Sequence, residues 1–392
     1  MMGKIQGKVL VFACRRQTKF FFEVAQRTFD GEIICYSDWP SDAGGRRYSN
    51  LMPSFYEHYN NGERSKQLTE EDIKQIVYRC RVLRALSYEK ATRMVHSMYL
   101  TVEKLVDDHQ PDYFVSRSVD YYVLDILCRV CKRFNVASIT LIGGSISNTI
   151  IVTRYGEYNF VRKPDEKEVE RTLEKLLDND SLISFGKKIK RYTFKEHALA
   201  FANFWFKNVA FKILSLLCRD PLNYRFLSSF TYAEEGYQHS FYNFSFPQFN
   251  SNWENELDES TRQVLYIPLS HIPECTTDYW LEDVNMIRDY EEFILGLCDQ
   301  LSSHFTLLIK EHWSMMGRRK ASFYNSLKEI PGVILVPSEI NNRKVIQKID
   351  KILLGVGTSG IEAALRGKCV VTLGLPLRRK LFRTYSINQS TR

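Results

Sequence analysis

The stretch that decides the fold lies near the end of the chain and has the sequence Gly355-Val356-Gly357-Thr358-Ser359-Gly360-Ile361-Glu362-Ala363-Ala364. One apolar run, residues 351–354, precedes it, and another, residues 369–373, follows it. This order predicts a strand, a glycine-rich turn, a short helix and a second strand. A glycine-rich turn at a helix N-terminus presents unpaired backbone N–H groups and the positive end of the helix dipole, so it suits a phosphate group.

Glu362 lies one turn inside this predicted helix, and two interpretations of it stay open. Its carboxylate could reach a ribose hydroxyl next to a phosphate held by Gly357, Thr358 and Ser359. Ser359-x-x-Glu362 is also the pattern of a capping box, which only satisfies helix N–H groups. Because glycine-rich turns between strands and helices are common, the turn alone does not decide between them.

Further motifs precede this turn in a definite order. A predicted strand over 264–269 ends in Pro268-Leu269, and a loop follows with Pro273, Glu274 and the Thr-Thr pair 276–277. A predicted strand over 306–310 then leads into Lys310-Glu311-His312. Alternate residues of a strand face the same way, so Lys310 and His312 are predicted to lie together, with Glu311 opposite.

This order of motifs resembles the C-terminal half of bacterial capsule and surface-polysaccharide biosynthesis proteins. In that family a strand ending in Pro-Leu is followed by Pro-Glu-x-Thr-Thr, Lys-Glu-His-Pro and Gly-Thr-x-x-x-Glu-Ala. The resemblance covers about residues 262–375. Two features depart from it: Trp313 stands where the family usually has proline, and the chain stops at Arg392, where the family typically continues with further helices.

The resemblance implies a glycosyltransferase of the two-domain GT-B type, which moves a sugar from a nucleotide-sugar to a growing capsule or other surface polysaccharide. The implied partners are a nucleotide-sugar and a polysaccharide or lipid-linked acceptor. No cofactor is expected, and no metal, because helix N-termini and basic side chains can stabilise a departing phosphate. The predicted donor-binding residues are Glu274, Lys310, His312, Gly357, Thr358, Ser359 and Glu362.

The first half of the chain alternates apolar runs with helical patterns, which predicts a doubly wound parallel sheet. Ligands of such sheets bind beyond the carboxyl ends of the strands. Asp120 follows a predicted strand over 111–115 and is the candidate general base, with a carboxylate in the first turn of a helix as the alternative. Arg15 and Arg16 follow the first predicted strand and are candidates for binding an anionic acceptor.

The predicted fold is therefore α/β, with two Rossmann-like doubly wound parallel-sheet domains facing a cleft, and a helical insertion in the first. We expect an N-terminal acceptor domain over 1–156, a helical insertion or lid over 157–245, a linker over 246–262 and a donor domain over 263–392, apparently short at its end. Residues 37–68, rich in Ser, Gly, Asn and Pro, are predicted to be a long loop. With 392 residues, two domains are the prior expectation.

Composition and charge indicate which kinds of partner the protein binds. A net charge of +8 favours anionic partners such as nucleotide diphosphates or a membrane surface. Nucleic acid is not predicted, because there is no recognised nucleic-acid motif and no long basic run. The nine cysteines are scattered, which favours buried thiols of a reducing cytoplasm over a zinc site at Cys128 and Cys131.

Residues 187–218 join a basic cluster, Lys187 to Arg191, to an apolar predicted helix. Trp205, Val209, Ile213, Leu216 and Leu217 share one face of that helix. Polar residues interrupt it, so it is not predicted to span a membrane. A core helix is the first interpretation. The second is a helix on the inner membrane surface, which would make a cytoplasmic protein a peripheral membrane protein.

Two other functions stay open. A sugar-nucleotide epimerase on the same fold would need no separate acceptor site, and the aromatic and basic region argues against it. A non-catalytic, degenerate member of the family is the other alternative, because of Trp313 and the short C-terminus.

Overall fold

The computed structural model describes residues 4–12, 18–38, 48–143, 150–153, 165–178, 192–227, 243–244, 249–272, 274–281, 286, 288–355 and 357–373. The chain divides into two compact units. The first unit comprises residues 1–144, 148–157 and 211–231, and the second comprises residues 145–147, 158–210 and 232–392. The predicted domain boundaries, and the cleft between the domains, stay predictions.

The first unit contains a six-stranded sheet of order β5-β4-β2-β6-β7-β8, and a short parallel pair, β1 with β3. In the larger sheet all neighbours are parallel except β7 and β8. The strands of this unit are β1 (Ile5–Gln6), β2 (Val9–Phe12), β3 (Phe29–Asp30), β4 (Ile33–Ser37), β5 (Ser49–Asn50), β6 (Tyr113–Arg117), β7 (Ala137–Gly143) and β8 (Ile150–Thr153).

Helices cover this sheet because its central strands are apolar on both faces. Val9 and Val11 of β2 pack on Phe21 and Ala25 of the first helix, while Leu10 is equally buried on the opposite face. The helices up to β8 are α1 (Thr18–Thr28), α2 (Met52–Asn61), α3 (Glu70–Arg79), α4 (Arg81–Arg84), α5 (Tyr88–His109) and α6 (Tyr122–Arg133).

Helix α2 corrects the prediction of a long loop over 37–68. Its boundaries follow ordinary helix signals: a proline in the first turn, and Gly62 at the C-terminus with a positive φ of 67°. Met52 and Phe55 are buried and anchor the helix. The polar composition of the segment concealed these two anchors.

In the sequence, two helices lie between the last strand of the first sheet and the first strand of the second: α7 (Glu166–Asp178) and α8 (Phe194–Leu217). None of the helices in the described ranges is long and apolar enough to cross a membrane. The start of α8 packs on a glycine: a Cβ at Gly317 would lie 2.5 Å from both His197 Nδ1 and Tyr192 Oη. Gly317 also has a φ of 78°, a backbone conformation that favours glycine. Both the close contact and the backbone conformation therefore require glycine here.

The sheet of the second unit is entirely parallel, with the order β11-β10-β9-β12-β13. Its strands are β9 (Val264–Pro268), β10 (Thr306–Lys310), β11 (Val333–Val336), β12 (Lys351–Leu354) and β13 (Cys369–Thr372). Its helices are α9 (Trp253–Asp258), α10 (Cys275–Trp280), α11 (Tyr290–Ser302), α12 (Ala321–Glu329), α13 (Asn342–Gln347) and α14 (Thr358–Leu365).

Helices pack on both faces of this second sheet. One core joins the sheet to α11 and α12, through Tyr290, Ile294 and Tyr324 among others. The other joins it to α9, α13 and α14. Trp253 and Leu257 of α9 belong to this second core, although they lie in the segment predicted to be a linker. The protein is thus α/β, with two Rossmann-like parallel-sheet units, as predicted.

Candidate functional site

The candidate donor site lies where the strand order of the second sheet reverses direction. From β9 the chain first builds toward β10 and β11, and then returns to add β12 and β13 on the other side. Ligands of open α/β sheets bind beyond the carboxyl ends of the strands at such a switch point. The loops after β9 and β12 meet there, since a Cβ at Gly355 would lie 3.3 Å from Ser270 Oγ.

Lys310, at the carboxyl end of β10, is almost entirely buried. Desolvation lowers the pKa of its ammonium group to about 8, while the charges of Glu311, Glu339 and Glu362 act in the opposite direction. Lys310 and Glu362, which are predicted donor residues 52 positions apart by residue number, therefore interact electrostatically in the folded chain. A cation that interacts with a side chain of α14 is suited to a phosphate group bound near that helix.

Helix α14 begins as the phosphate interpretation expects. Its N-cap is Gly357, which has no side chain to cap the first-turn N–H groups. Ser359 instead accepts a hydrogen bond from Asn342 Nδ2 at 3.0 Å, and Asn342 Oδ1 accepts one from Tyr266 Oη at 3.1 Å. The capping box between Ser359 and Glu362, the structural alternative, has no N-cap side chain here.

Glu362 is half buried in the first turns of α14. Desolvation raises the pKa of its carboxyl group, whereas Arg366, Arg343 and Lys310 oppose the rise. With three cations around it, the carboxylate is an acceptor placed next to the phosphate-binding turn. A ribose or sugar hydroxyl is the kind of donor that it could receive.

Glu311 faces the other side of the sheet from Lys310, as the alternation of β10 predicts. Its Oε2 accepts hydrogen bonds from Arg319 Nε and Tyr324 Oη, each at 2.7 Å, and the Glu311–Arg319 pair is completely buried. Arg319 also donates to the carbonyl of Ser270 and lies over the ring of Tyr290. This network ties the loop after β9 to the end of β10.

Sequence reasoning missed Arg319, because the arginine lies eight residues beyond Glu311 in an irregular segment. The signal that could have found it is Glu311 itself. A carboxylate that faces a hydrophobic core at a strand end requires a cationic partner.

Two histidines stand together at the end of this network. The ring centroids of His271 and His312 are 5.2 Å apart, and His312 Nδ1 lies 2.6 Å from Ser314 Oγ. Desolvation and the charges of Lys310, Arg319 and Arg318 lower the pKa of His312 to about 4. His312 is therefore neutral at pH 7 and acts through hydrogen bonds, while Lys310 supplies the charge.

Glu274 and Trp313 lie at the outer edge of the same loops. Glu274 is exposed at the start of α10, and its Oε2 is 4.0 Å from His271 Nδ1. Trp313 is 55% exposed and stacks beside His312, with ring centroids 6.3 Å apart. The residue that departs from the family pattern thus presents an aromatic surface next to the candidate site.

In the first unit, Asp120 is occupied by two arginines. Its Oδ1 accepts from Arg81 Nη2 at 2.7 Å, and its Oδ2 accepts from Arg117 Nη2 at 2.8 Å. Both carboxylate oxygens of Asp120 are thus engaged by arginines. Its predicted role as general base stays a prediction.

Asp38, which sequence reasoning missed, is a second carboxyl group at the end of a strand in the first unit. It follows β4 at its carboxyl end, and its Oδ2 accepts a hydrogen bond from Tyr121 Oη at 2.8 Å. Burial raises the pKa of its carboxyl group to about 6, and the charge of Asp220 adds to the rise. The signal in the sequence was an aspartate directly after an apolar run.

The remaining predictions concern the acceptor-binding arginines and a possible metal site. Arg15 and Arg16, the predicted acceptor-binding residues, lie outside the described residues. Cys128 and Cys131 are buried on α6, and neither is in a disulfide. Across the described ranges, no group of three or more histidine, cysteine, aspartate or glutamate side chains is arranged to hold a metal ion.

The fold and the site together define an α/β protein with two Rossmann-like units, the second of which carries a charged cluster at its topological switch point. No family model matches the chain, and no curated protein matches it in sequence.

Among solved structures, the chain is similar to KpsC from Thermosulfurimonas dismutans. The likeness to its β-Kdo 2,4 transferase has 12% identity and a TM-score of 0.39, over 70% of this chain and 73% of that chain. The likeness to its β-Kdo 2,7 transferase has 11% identity and a TM-score of 0.37, over 94% and 79%.

It is also similar to a UDP-GlcNAc 2-epimerase from Methanocaldococcus jannaschii, with 12% identity and a TM-score of 0.23, over 93% of this chain and 83% of that chain. All three likenesses are too low to transfer an activity to this chain.

Proposed function

We propose that the chain is a glycosyltransferase that moves a sugar from a nucleotide-sugar to a hydroxyl group of a growing capsule or other surface polysaccharide. The observation that carries the proposal is the cluster at the switch point of the second sheet. There Lys310, Glu362 and the uncapped first turn of α14 come together. A nucleotide-sugar presents phosphate groups and hydroxyl groups. The buried cation and the helix N-terminus suit the phosphates, and the carboxylate of Glu362 can accept a hydrogen bond from a hydroxyl.

In the proposed reaction the acceptor oxygen forms a bond to the anomeric carbon of the sugar. The bond from that carbon to the phosphate oxygen breaks, and the nucleotide leaves with the bonding electrons. Lys310 and the first-turn N–H groups of α14 offset the new phosphate charge, in place of a bound metal. His312, neutral at pH 7, donates or accepts a hydrogen bond at the phosphate or the sugar.

The acceptor hydroxyl must lose a proton, and we propose Asp38 as the base in place of Asp120. Above pH 6 its carboxyl group is ionised, and the bond from Tyr121 orients it. A general base works best when its pKa lies close to the working pH, as that of Asp38 does. The remaining predicted contacts, Glu274 with the donor and Arg15 and Arg16 with an anionic acceptor, belong to the same proposal.

A thermal-shift screen against UDP-, GDP-, CMP- and dTDP-sugars tests donor binding. A ligand at about one hundred times its dissociation constant adds roughly 2.7 kcal/mol to the free energy of unfolding. The stabilising donor is then incubated with and without polysaccharide acceptor. Sugar found on the acceptor supports transfer. Isomerisation of the sugar without acceptor would establish the epimerase instead, and stabilisation by none of the four donors would contradict both activities.

A further inference from the structure

Helix α8 exposes the apolar face that the sequence first suggested would be buried. Its most exposed side chains follow one another at intervals of three and four residues, so they form one stripe along the helix. The stripe consists of Leu199, Phe206, Val209, Ile213, Leu216 and Leu217, with Trp205 and Leu214 at its margins. Phe206 and Leu217 are 73% and 74% exposed. The prediction of a core helix is therefore wrong for this face.

The inward face of α8 is occupied by smaller polar residues. His197, Asn208 and Ser215 are buried there, at 0%, 5% and 8% exposure. His197 Nδ1 lies 2.8 Å from Tyr192 Oη, and Ser215 Oγ donates to the carbonyl of Lys212 at 2.7 Å. The buried face of α8 is therefore polar at these positions, and the apolar stripe lies on the exposed side.

The charge beside the stripe identifies the kind of surface that covers it. Lys207 and Lys212 are exposed and, at about 100° per residue, lie on opposite sides of the stripe. Lys195 is exposed near the start of the helix, and the only acidic residue of α8 is Glu196. An apolar face between two lysines matches an anionic lipid surface, where the stripe enters the acyl region and the lysines reach the headgroups.

We propose that the exposed face of α8 binds an anionic membrane surface, with the helix lying in the plane of the interface. The helix is too polar to cross a bilayer, which leaves the interface as its place in a membrane. Trp205, at the margin of the stripe and midway along α8, then lies at headgroup depth, as tryptophan prefers. This inference does not depend on sugar transfer, since no donor-site residue takes part in it.

Flotation of the full-length chain with lipid vesicles tests the proposal. We expect binding to vesicles with 30% phosphatidylglycerol, little binding to pure phosphatidylcholine, and weaker binding as salt rises. The double variant Phe206→Asp/Ile213→Asp should lose binding. Ile150→Asp, an equally exposed residue of β8 at 57%, is the matched control and should bind as the wild type does.

The charge is tested separately by Lys207→Gln/Lys212→Gln. Each lysine contributes about fivefold to the affinity for an anionic surface, so the pair should weaken binding by about 30-fold. Trp205 fluorescence should be quenched by brominated lipid in the wild type, and the quenching should disappear in Trp205→Phe.

Three results would overturn the proposal. The wild type could stay unbound with anionic vesicles at low salt, or Ile150→Asp could lose binding as fully as the double variant. Light scattering could instead show a dimer in the wild type and a monomer in Phe206→Asp/Ile213→Asp, which would assign the stripe to a second copy of the chain. Nucleotide binding, measured on the same samples, reports separately on the proposed donor site.

Discussion

Lys310 is the residue on which the donor site depends, and its burial gives it an unusual pH range. Its pKa of about 8 lies below the 10.5 of an unperturbed lysine. Between these values the unfolded chain binds more protons than the folded chain, so Lys310 makes the stability of the fold rise with pH in that window. Below pH 8 Lys310 therefore stays charged in the folded chain, although burying that charge destabilises the fold. A buried charge retained at such a cost is the pattern of a functional rather than a structural residue.

Nucleotide affinity should consequently fall at a lower pH than a lysine normally allows. From pH 7 to pH 9 the charged fraction of a group with a pKa of about 8 drops about tenfold, and we expect a similar loss of affinity by calorimetry. Lys310→Arg keeps its charge at both pH values and should abolish this dependence. A tenfold loss that persists in Lys310→Arg would assign the effect to another group.

A role of Glu362 in nucleotide binding can be distinguished from a role in helix capping, because α14 has no side-chain cap. Glu362→Gln should weaken nucleotide binding by about 1.5–3 kcal/mol, the typical value of a hydrogen bond to a charged group. The melting temperature should change little, because the N-cap is Gly357 and makes no side-chain cap hydrogen bond. Asn342→Ala, which removes the donor of the bond to Ser359, is the control for local structure. A variant that melts lower but binds as well as the wild type would limit Glu362 to a structural role.

At the scale of elements, the position of α14 depends on close packing at Gly360. A Cβ at this position would lie 3.2 Å from both Leu354 Cδ atoms and 3.5 Å from Val370 Cγ1. Gly360→Ala should therefore destabilise the fold by about 1–3 kcal/mol in chemical denaturation, as overpacking generally does. Gly296→Ala in α11, where nothing lies within 4 Å, should instead stabilise by about 0.5–1 kcal/mol. Equal effects of the two variants would show that packing against β12 is not what places α14.

The elements also show what the sequence could and could not predict. Two strands of the second unit, β10 and β12, have the predicted boundaries because each is a short apolar run between polar turns. The glycine-rich turn before α14 was also predicted, because a turn between an apolar run and a helical pattern is a local signal. By contrast, α2 was missed because two buried residues in a polar segment are a weak signal.

The rest of the site could not be predicted because it depends on contacts distant in sequence. Arg319 reaches Glu311 and Ser270 across an irregular loop, and no local pattern marks such a partner. Asp38 has its raised pKa because the fold buries it and brings Asp220 near, while the hydrogen bond from Tyr121 opposes the rise. For the same reason the sequence left open whether the apolar face of α8 is buried in a core or lies on a membrane surface: periodicity shows that a face is apolar, not what covers it.

At the scale of the whole molecule, the proposed reaction requires one carboxyl group to be ionised while one ammonium group keeps its charge. Asp38 must be ionised, which requires a pH above about 6, and Lys310 must be charged, which requires a pH below about 8. We expect a bell-shaped dependence of kcat/KM with limbs near these two values. Asp38→Asn should abolish most of the activity, and Lys310→Arg should move the alkaline limb upward.

The two limbs are independent checks, because the variants lie in different units. If Lys310→Arg leaves the alkaline limb in place, that limb belongs to a different group. If Asp120→Asn removes the acid limb while Asp38→Asn leaves it, the base is the residue that the sequence first suggested.

The contact between Gly317 and His197 links α8 to the loop that carries Arg319, and through Arg319 to Ser270 and Glu311. A lipid surface that tilts or orders α8 would therefore act on the loop that carries Arg319. Thermodynamic linkage requires such an effect to be reciprocal: if vesicles raise the affinity for the nucleotide by some factor, the nucleotide raises the affinity for vesicles by the same factor. The two proposals, donor binding and membrane binding, would then be coupled through a single glycine contact.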